Sequence, residues 1–165
     1  MEIQRINIKN MEIKMKKEKT CKIVFSDIDG TLLTSDGQIT EGTKEMILNL
    51  EKKGIPFILT SARSPEGVRV IKRMLGNHAP IIAFCGGLIL DNDGNEIYSK
   101  MIPLKRALEL KAMLDKDFPA VACNTFGGEK WIVDDRDDWR EQREEKIVGF
   151  PAEIGSIKDT FETEG

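Results

Sequence analysis

Two aspartates two positions apart, Asp27 and Asp29, follow a short apolar run in "IVFSDIDGTLLTSDG" (23–37). Like charges this close are costly unless a cation or a shared proton relieves them. That cost favours a Mg²⁺ site, because hard cations take oxygen ligands and Mg²⁺ uses only one or two carboxylates. Gly30, directly after, lets the backbone turn tightly and bring amide groups near an anion. An Asp-x-Asp-Gly stretch by itself is more often a solvated turn, and "DNDG" (91–94) is read as one. Neither stretch fits a calcium loop, since the sixth position from Asp27 lacks glycine. Context separates the first from the second: a buried strand before it, Leu32-Leu33 after it, and a second strand that ends in the hydroxyl of Ser61.

The elements that must position these groups follow from patterning. Residues 22–26 are apolar and β-branched, a buried strand. Thr40 caps a helix through "EGTKEMILNLEKKG", with Met46, Ile47 and Leu50 on one face and Gly54 at its end. "IPFILT" (55–60) is a second strand. Ser64-Pro65 opens a second helix with Val68, Ile71 and Leu75 on one face and Gly76 after it. "PIIAF" (80–84) is a third strand. Strand, helix, strand, helix, strand predicts an α/β fold with a parallel sheet and right-handed crossovers. Ligands then sit beyond the carboxyl ends of the strands, where Asp27, Asp29 and Ser61 fall. Alternation predicts that residues i and i+2 share a side, so both carboxylates face one pocket.

After Gly86-Gly87 the pattern changes. Residues 88–102 form a hairpin turning at Asn92-Asp93-Gly94, and a helix starts at Pro103. "AVACNT" and "KWIVDD" make a second hairpin around Gly127-Gly128. "DDWREQREEKIVG" is a charged, solvated helix ending at Gly149, and 150–165 carries little pattern. Trp131 and Trp139 are read as packing residues, and His78 as a loop residue without a catalytic role.

A net charge of −3 gives no electrostatic case for nucleic acid or an anionic membrane, and no 18-residue apolar run is present. Cys21, Cys85 and Cys123 are scattered and odd in number, which reads as a reduced, cytoplasmic thiol set with Cys85 buried. Residues 1–21 read as a disordered basic extension, with Met11 or Met15 as an alternative start.

"DIDGTLL" resembles the first motif of the haloacid dehalogenase-like superfamily of phosphatases, and "ILTSAR" (58–63) resembles the second motif of its Cof-type subfamily IIB. "IIAFCGGLILDNDGNEIY" and "EKWIVDDRDDWREQREEKIVG" are similar to the stretch that follows and to the subfamily's α/β cap. The resemblance implies a Rossmann-like α/β parallel-sheet core over 22–102, partial, and part of an α/β cap over 103–165. It implies Mg²⁺-dependent hydrolysis of phosphate monoesters, sugar phosphates or similar small metabolites, through an aspartyl-phosphate. Asp27 would be the nucleophile and Asp29 the general acid and base, with Asp27 and the Asp29 carbonyl as metal ligands. Gly30, Ser61 and Ala62 would bind phosphate, and Arg63 would contact substrate, pack at the helix start or pair with a carboxylate. Cys85 stands where the subfamily usually has Asn, and Ala62 where it has Gly. A later Lys and a Gly-Asp…Asp metal motif are expected beyond the cap, so the chain reads as ending within the cap, with "IVDDRDD" (132–138) a weaker substitute. Ile23–Phe25 then becomes an apolar sheet edge, which predicts self-association. Two alternatives stay open: a non-catalytic phosphate-binding or regulatory fragment, and a receiver-like module phosphorylated on Asp27.

Overall fold

The computed structural model describes residues 21–161; the basic extension read over 1–21 lies outside them apart from Cys21. The first sheet has the order β1-β2-β3-β4-β5. β1 (Val24–Asp27), β2 (Phe57–Thr60) and β3 (Ile81–Ala83) are parallel, while β4 (Leu88–Leu90) and β5 (Glu96–Ser99) add on antiparallel. The crossovers are α1 (Glu41–Lys52) and α2 (Pro65–Leu75). Their ends form as the cap residues dictate: Thr40 and Ser64 accept from the amides of Thr43 and Gly67, and Gly76 closes α2 at φ 71°. Val68, Ile71 and Leu75 pack with Ile28, Leu59, Ile81 and Ala83 in one core. Full burial of Val68 or Leu75 is worth about 1.5–3 kcal/mol each.

Met46, placed by periodicity on the apolar face of α1, is 63% exposed, while Ile47 carries the packing. Among the described residues β1 pairs only with β2, leaving Phe25 55% exposed at the edge of the sheet.

The second sheet, β6-β7-β8, combines β6 (Thr125–Gly127), β7 (Lys130–Val133) and β8 (Glu153–Ile154) with α3 (Leu104–Asp117), α4 (Trp139–Val148) and α5 (Ile157–Phe161). β6 and β7 are the expected hairpin, but its first strand starts at Thr125, later than "AVACNT" suggested. The weakly patterned tail supplies β8, parallel to β7, and α5. Trp131 is buried between Phe126, stacked at 5.3 Å, and Phe150, edge-on at 5.3 Å. Trp139, expected to pack, is exposed. Phe84 meets Phe126 at 5.8 Å and ties the two sheets together. α4 is not wholly solvated: Glu141 is buried, accepting from Asn124 Nδ2 at 3.1 Å, while Asn124 Oδ1 accepts from the Trp131 indole at 2.7 Å. No described helix is long and apolar enough to cross a membrane.

Candidate active site at the end of the first strand

β1 ends at Asp27, not beyond it. Asp27 Oδ1 accepts from the Ile28 amide at 2.8 Å, and the chain enters a wide turn closed by Leu33 N–H donating to the Ile28 carbonyl at 3.0 Å. Ile28, fully buried, anchors that turn in the core. Gly30 sits in it at φ 73°, a conformation that L side chains rarely adopt. The alternation argument therefore does not place Asp29, because Asp29 lies in the turn rather than the ladder.

What places Asp29 is Arg63. Its Nε donates to Oδ2 at 2.9 Å and its Nη2 to Oδ1 at 2.7 Å, the bidentate fork that suits a carboxylate. Its third nitrogen, Nη1, donates to the Ile147 carbonyl at 3.3 Å in the last turn of α4. Gly67 leaves room for this: a Cβ there would come 3.2 Å from the Arg63 Cβ. Of the three roles open to Arg63 in the sequence, the structure shows the carboxylate pair.

Parallel register sets Asp27 beside Thr60, so Ser61 follows immediately on the neighbouring strand. Ser61 is buried, and its Oγ accepts from the Arg63 amide at 3.1 Å, which leaves the hydroxyl proton free to donate. The Ser61–Arg63 turn is fastened to the β3–β4 connection by Cys85 N–H donating to Ser61 O at 2.9 Å and Phe84 N–H donating to Arg63 O at 3.0 Å. Phe84 and Cys85 both take positive φ, 50° and 53°. Cys85 is exposed, contrary to the buried reading, because this connection turns the side chain away from the core. Ala62 is exposed in the same turn.

A cleft of about 800 Å³ opens beside Asp29, Gly30 and Arg63 and is also lined by Thr34, Asp36 and Lys146. Thr34 Oγ1 donates to Asp36 at 2.5 Å and holds its carboxyl below the usual range. Lys146 and Ile147 come from α4, so far along the chain that no local spacing signals them. The aspartates of 134–138 do not join the site. Asp134 pairs with Lys111 at 2.9 Å, Asp135 accepts from the Asp137 amide, and Asp138 caps α4 and pairs with Arg140. Arg140 and its own main chain hold the Asp138 carboxyl down to about 2. His78 donates its amide to Glu51 and lies away from this turn's bonding network.

Residues 24–163 match the family model described as haloacid dehalogenase-like hydrolase. The chain belongs to that family. A Haemophilus influenzae protein described as "Putative phosphatase" is 36% identical over 124 residues, covering 70% of this chain and 47% of that protein. The phosphoglycolate phosphatase of Thermoplasma volcanium is 38% identical over 74 residues, covering 45% of this chain and 33% of its own length. Among solved structures, a haloacid dehalogenase-like hydrolase from Bacteroides thetaiotaomicron superposes with a TM-score of 0.74 at 20% identity, covering 83% of this chain and 52% of that one. A subclass IIB sugar phosphatase of the superfamily gives 0.65 at 20% identity, over 84% and 54%. These structures establish the fold as α/β and Rossmann-like. The chain spans about half the length of the relatives it matches.

The Mg²⁺ that the hydrolase family implies fits the donors around Asp27. Oδ2 of Asp27 has no hydrogen-bond partner among the described residues, whereas both Asp29 oxygens are taken by Arg63, which leaves the main-chain carbonyl as the Asp29 donor. No group of three or more His, Cys, Asp or Glu residues that could hold a metal occurs among the described residues.

Proposed function

We propose that this haloacid dehalogenase-like chain carries the nucleophile half of a Mg²⁺-dependent phosphate monoesterase acting on sugar phosphates or similar small phosphorylated metabolites. In this reading residues 22–102 form part of the catalytic core and 103–165 part of the cap. The observation that supports it most directly is the turn after β1, which leaves Asp27 with an uncommitted oxygen at the end of the strand, while buried Ser61 stands one residue past its register partner Thr60 on β2.

Asp27 attacks phosphorus in line: a bond forms from its carboxylate oxygen to phosphorus as the ester P–O bond breaks. Asp29 gives its proton to the departing alkoxide, which leaves as the alcohol. Water then attacks the aspartyl-phosphate, its proton goes to Asp29, and the bond from phosphorus to Asp27 breaks to release inorganic phosphate. Ser61 and the amides of Gly30 and Ala62 donate to the phosphoryl oxygens as charge redistributes. Mg²⁺, held by the Asp27 carboxylate and the Asp29 carbonyl, supplies charge neutralisation between Asp27 and the phosphate when bound. Arg63 engages both Asp29 oxygens, so proton transfer to a leaving group requires that one of those contacts open.

The test is hydrolysis of p-nitrophenyl phosphate by the purified 165-residue chain with and without Mg²⁺, beside Asp27→Asn and Ser61→Ala. Turnover that needs both Mg²⁺ and Asp27 and falls about 10²-fold in Ser61→Ala supports the assignment and means that residues within this chain complete the site. Turnover that survives Asp27→Asn removes the nucleophile assignment. No turnover from folded wild-type chain removes the phosphatase reading for this polypeptide and favours the phosphate-binding fragment.

A further inference from the structure

In the reaction proposed above Asp29 protonates the departing alcohol, so the leaving group lies on the Asp29 side of the phosphate. The cleft of about 800 Å³ beside Asp29 is the space open to it there, a volume that suits a small metabolite. Its charged lining residues are Asp29, Asp36, Arg63 and Lys146, and the first three are already committed. Asp29 and Arg63 neutralise each other through the bidentate fork, and Asp36 accepts from the Thr34 hydroxyl within its own loop. Lys146 is exposed and makes no hydrogen bond or ion pair among the described residues. A lysine in the last turn of a helix can serve the carbonyls left open there, but at this end of α4 other groups meet that need. Glu145 O accepts from the Gly149 amide at 2.9 Å, and Ile147 O accepts from Arg63 Nη1 at 3.3 Å. Much of the remaining lining is apolar, from Val70, Ile71 and Met74 of α2 and from Leu33 and Ile147.

We propose that Lys146 is a specificity-determining residue that binds a second anionic group, a carboxylate or a further phosphate, on the alcohol half of the substrate. The proposal rests on the phosphatase reading and narrows its substrate class to esters whose leaving group is itself an anion. Lys146 is the one charge of the cleft left without a partner among the described residues. A neutral polyol leaves that charge unmet, and an amine is repelled by it. An anion on the leaving group makes a charge-assisted hydrogen bond to Nζ, the stronger kind, in a cleft walled by α2 and α4. Arg63 cannot take this role while two of its nitrogens hold Asp29 and the third holds Ile147 O. Recognition is then divided along the chain: the turn after β1 and the Ser61–Arg63 turn take the reacting phosphate, and the end of α4 takes the far end of the alcohol.

Calorimetric titration of the 165-residue chain in Mg²⁺ with phosphate esters on one three-carbon skeleton tests this. Glycerol 1-phosphate has a neutral alcohol, 3-phosphoglycerate adds a carboxylate, and glycerol 1,3-bisphosphate adds a phosphate. The expected result is that at least one anionic ester binds about 10-fold more tightly than glycerol 1-phosphate, and the tighter of the two identifies the anion. Lys146→Gln abolishes that preference, Lys146→Arg retains it, and Lys146→Glu turns it into a preference for the neutral ester. Equal binding of all the esters by the wild-type chain overturns the proposal and leaves the phosphatase reading intact. So does a preference for the anionic esters that survives Lys146→Gln, which would put the second anion against another group. If none of the esters binds, the phosphatase reading falls and the proposal falls with it.

Discussion

Glu141→Gln separates a buried charge from the packing around it. Glu141 is 2% exposed, and its Oε2 has no hydrogen-bond partner, while Oε1 accepts from Asn124. Burial is the main cause that raises the Glu141 carboxyl above its ordinary value; the Asn124 bond opposes it, and the nearby Asp138 charge adds to it. An acid whose folded-state value is raised binds its proton more tightly folded than unfolded. Below about pH 4 both states are protonated and the charge costs nothing. As pH rises through the unfolded value, the unfolded chain ionises first and the folded state loses ground. Above the raised folded value the deficit is complete and stays constant.

Glutamine keeps the acceptor for Asn124 and removes the ionisation. A buried, unsatisfied polar group costs about 1–3 kcal/mol, and more when charged. We expect Glu141→Gln to stabilise the chain by about 1–2 kcal/mol at pH 8. For a chain of this length that is about 2–8 °C in Tm. At pH 4 the two proteins should melt together. Calorimetry at several pH values reads this directly, because titrations common to both chains cancel in the difference. A Glu141→Gln chain that melts at or below the wild type at pH 8 refutes the reasoning. So does a stability gain that is the same at pH 4 and pH 8, since a gain of that kind would come from packing rather than charge.

Three further outcomes follow from other contacts. Asp138→Ala removes the α4 cap and the Arg140 pair; because the Asp138 carboxyl is depressed to about 2, the stability it contributes is present above its unfolded value and is lost as pH falls toward 2. The wild-type advantage over Asp138→Ala in urea melts should therefore shrink between pH 5 and pH 2, and a constant difference would contradict the assignment. Gly127→Ala puts a Cβ 2.5 Å from the Phe161 ring, so it should destabilise by about 1–3 kcal/mol, and Phe161→Leu in the same chain should recover part of that loss. Ile28→Ala empties a fully buried site beneath the turn after β1; it should cost about 2–5 kcal/mol and speed amide exchange at Gly30 and Thr31 more than in α2.

The first half of this chain is legible because its signals are local. Thr40, Ser64, Pro65 and Gly76 each act within a turn of where they stand, and all four cap or open the helix that the sequence assigns to them. The α4 helix was misread for the opposite reason. Its charges look solvated in sequence, yet Glu141 is drawn inward by Asn124, whose partner in turn is the Trp131 indole. That network joins α4 and β7 through Asn124, in the segment before β6, and no spacing along any one of them reveals it. Arg63 and Asp29 are another such pair, 34 residues apart, and only the fold makes them neighbours.

Asp29 differs from these pairs, because the signal that decides its position is local and lies in the sequence at Gly30. Gly30 marks a tight turn, and its φ of 73° bears that out. A turn that bends at Gly30 also requires the preceding residue to leave the ladder, so strand alternation does not extend to Asp29. Asp27 is therefore the last strand residue, held by its bond to the Ile28 amide, and Asp29 projects from the turn into reach of Arg63. The two carboxylates are consequently unequal. Asp27 keeps an oxygen without a partner, while both oxygens of Asp29 are engaged by a cation. A matched pair on one strand would have left both carboxylates equally open, so the turn at Gly30 and the fork from Arg63 are together what make them differ.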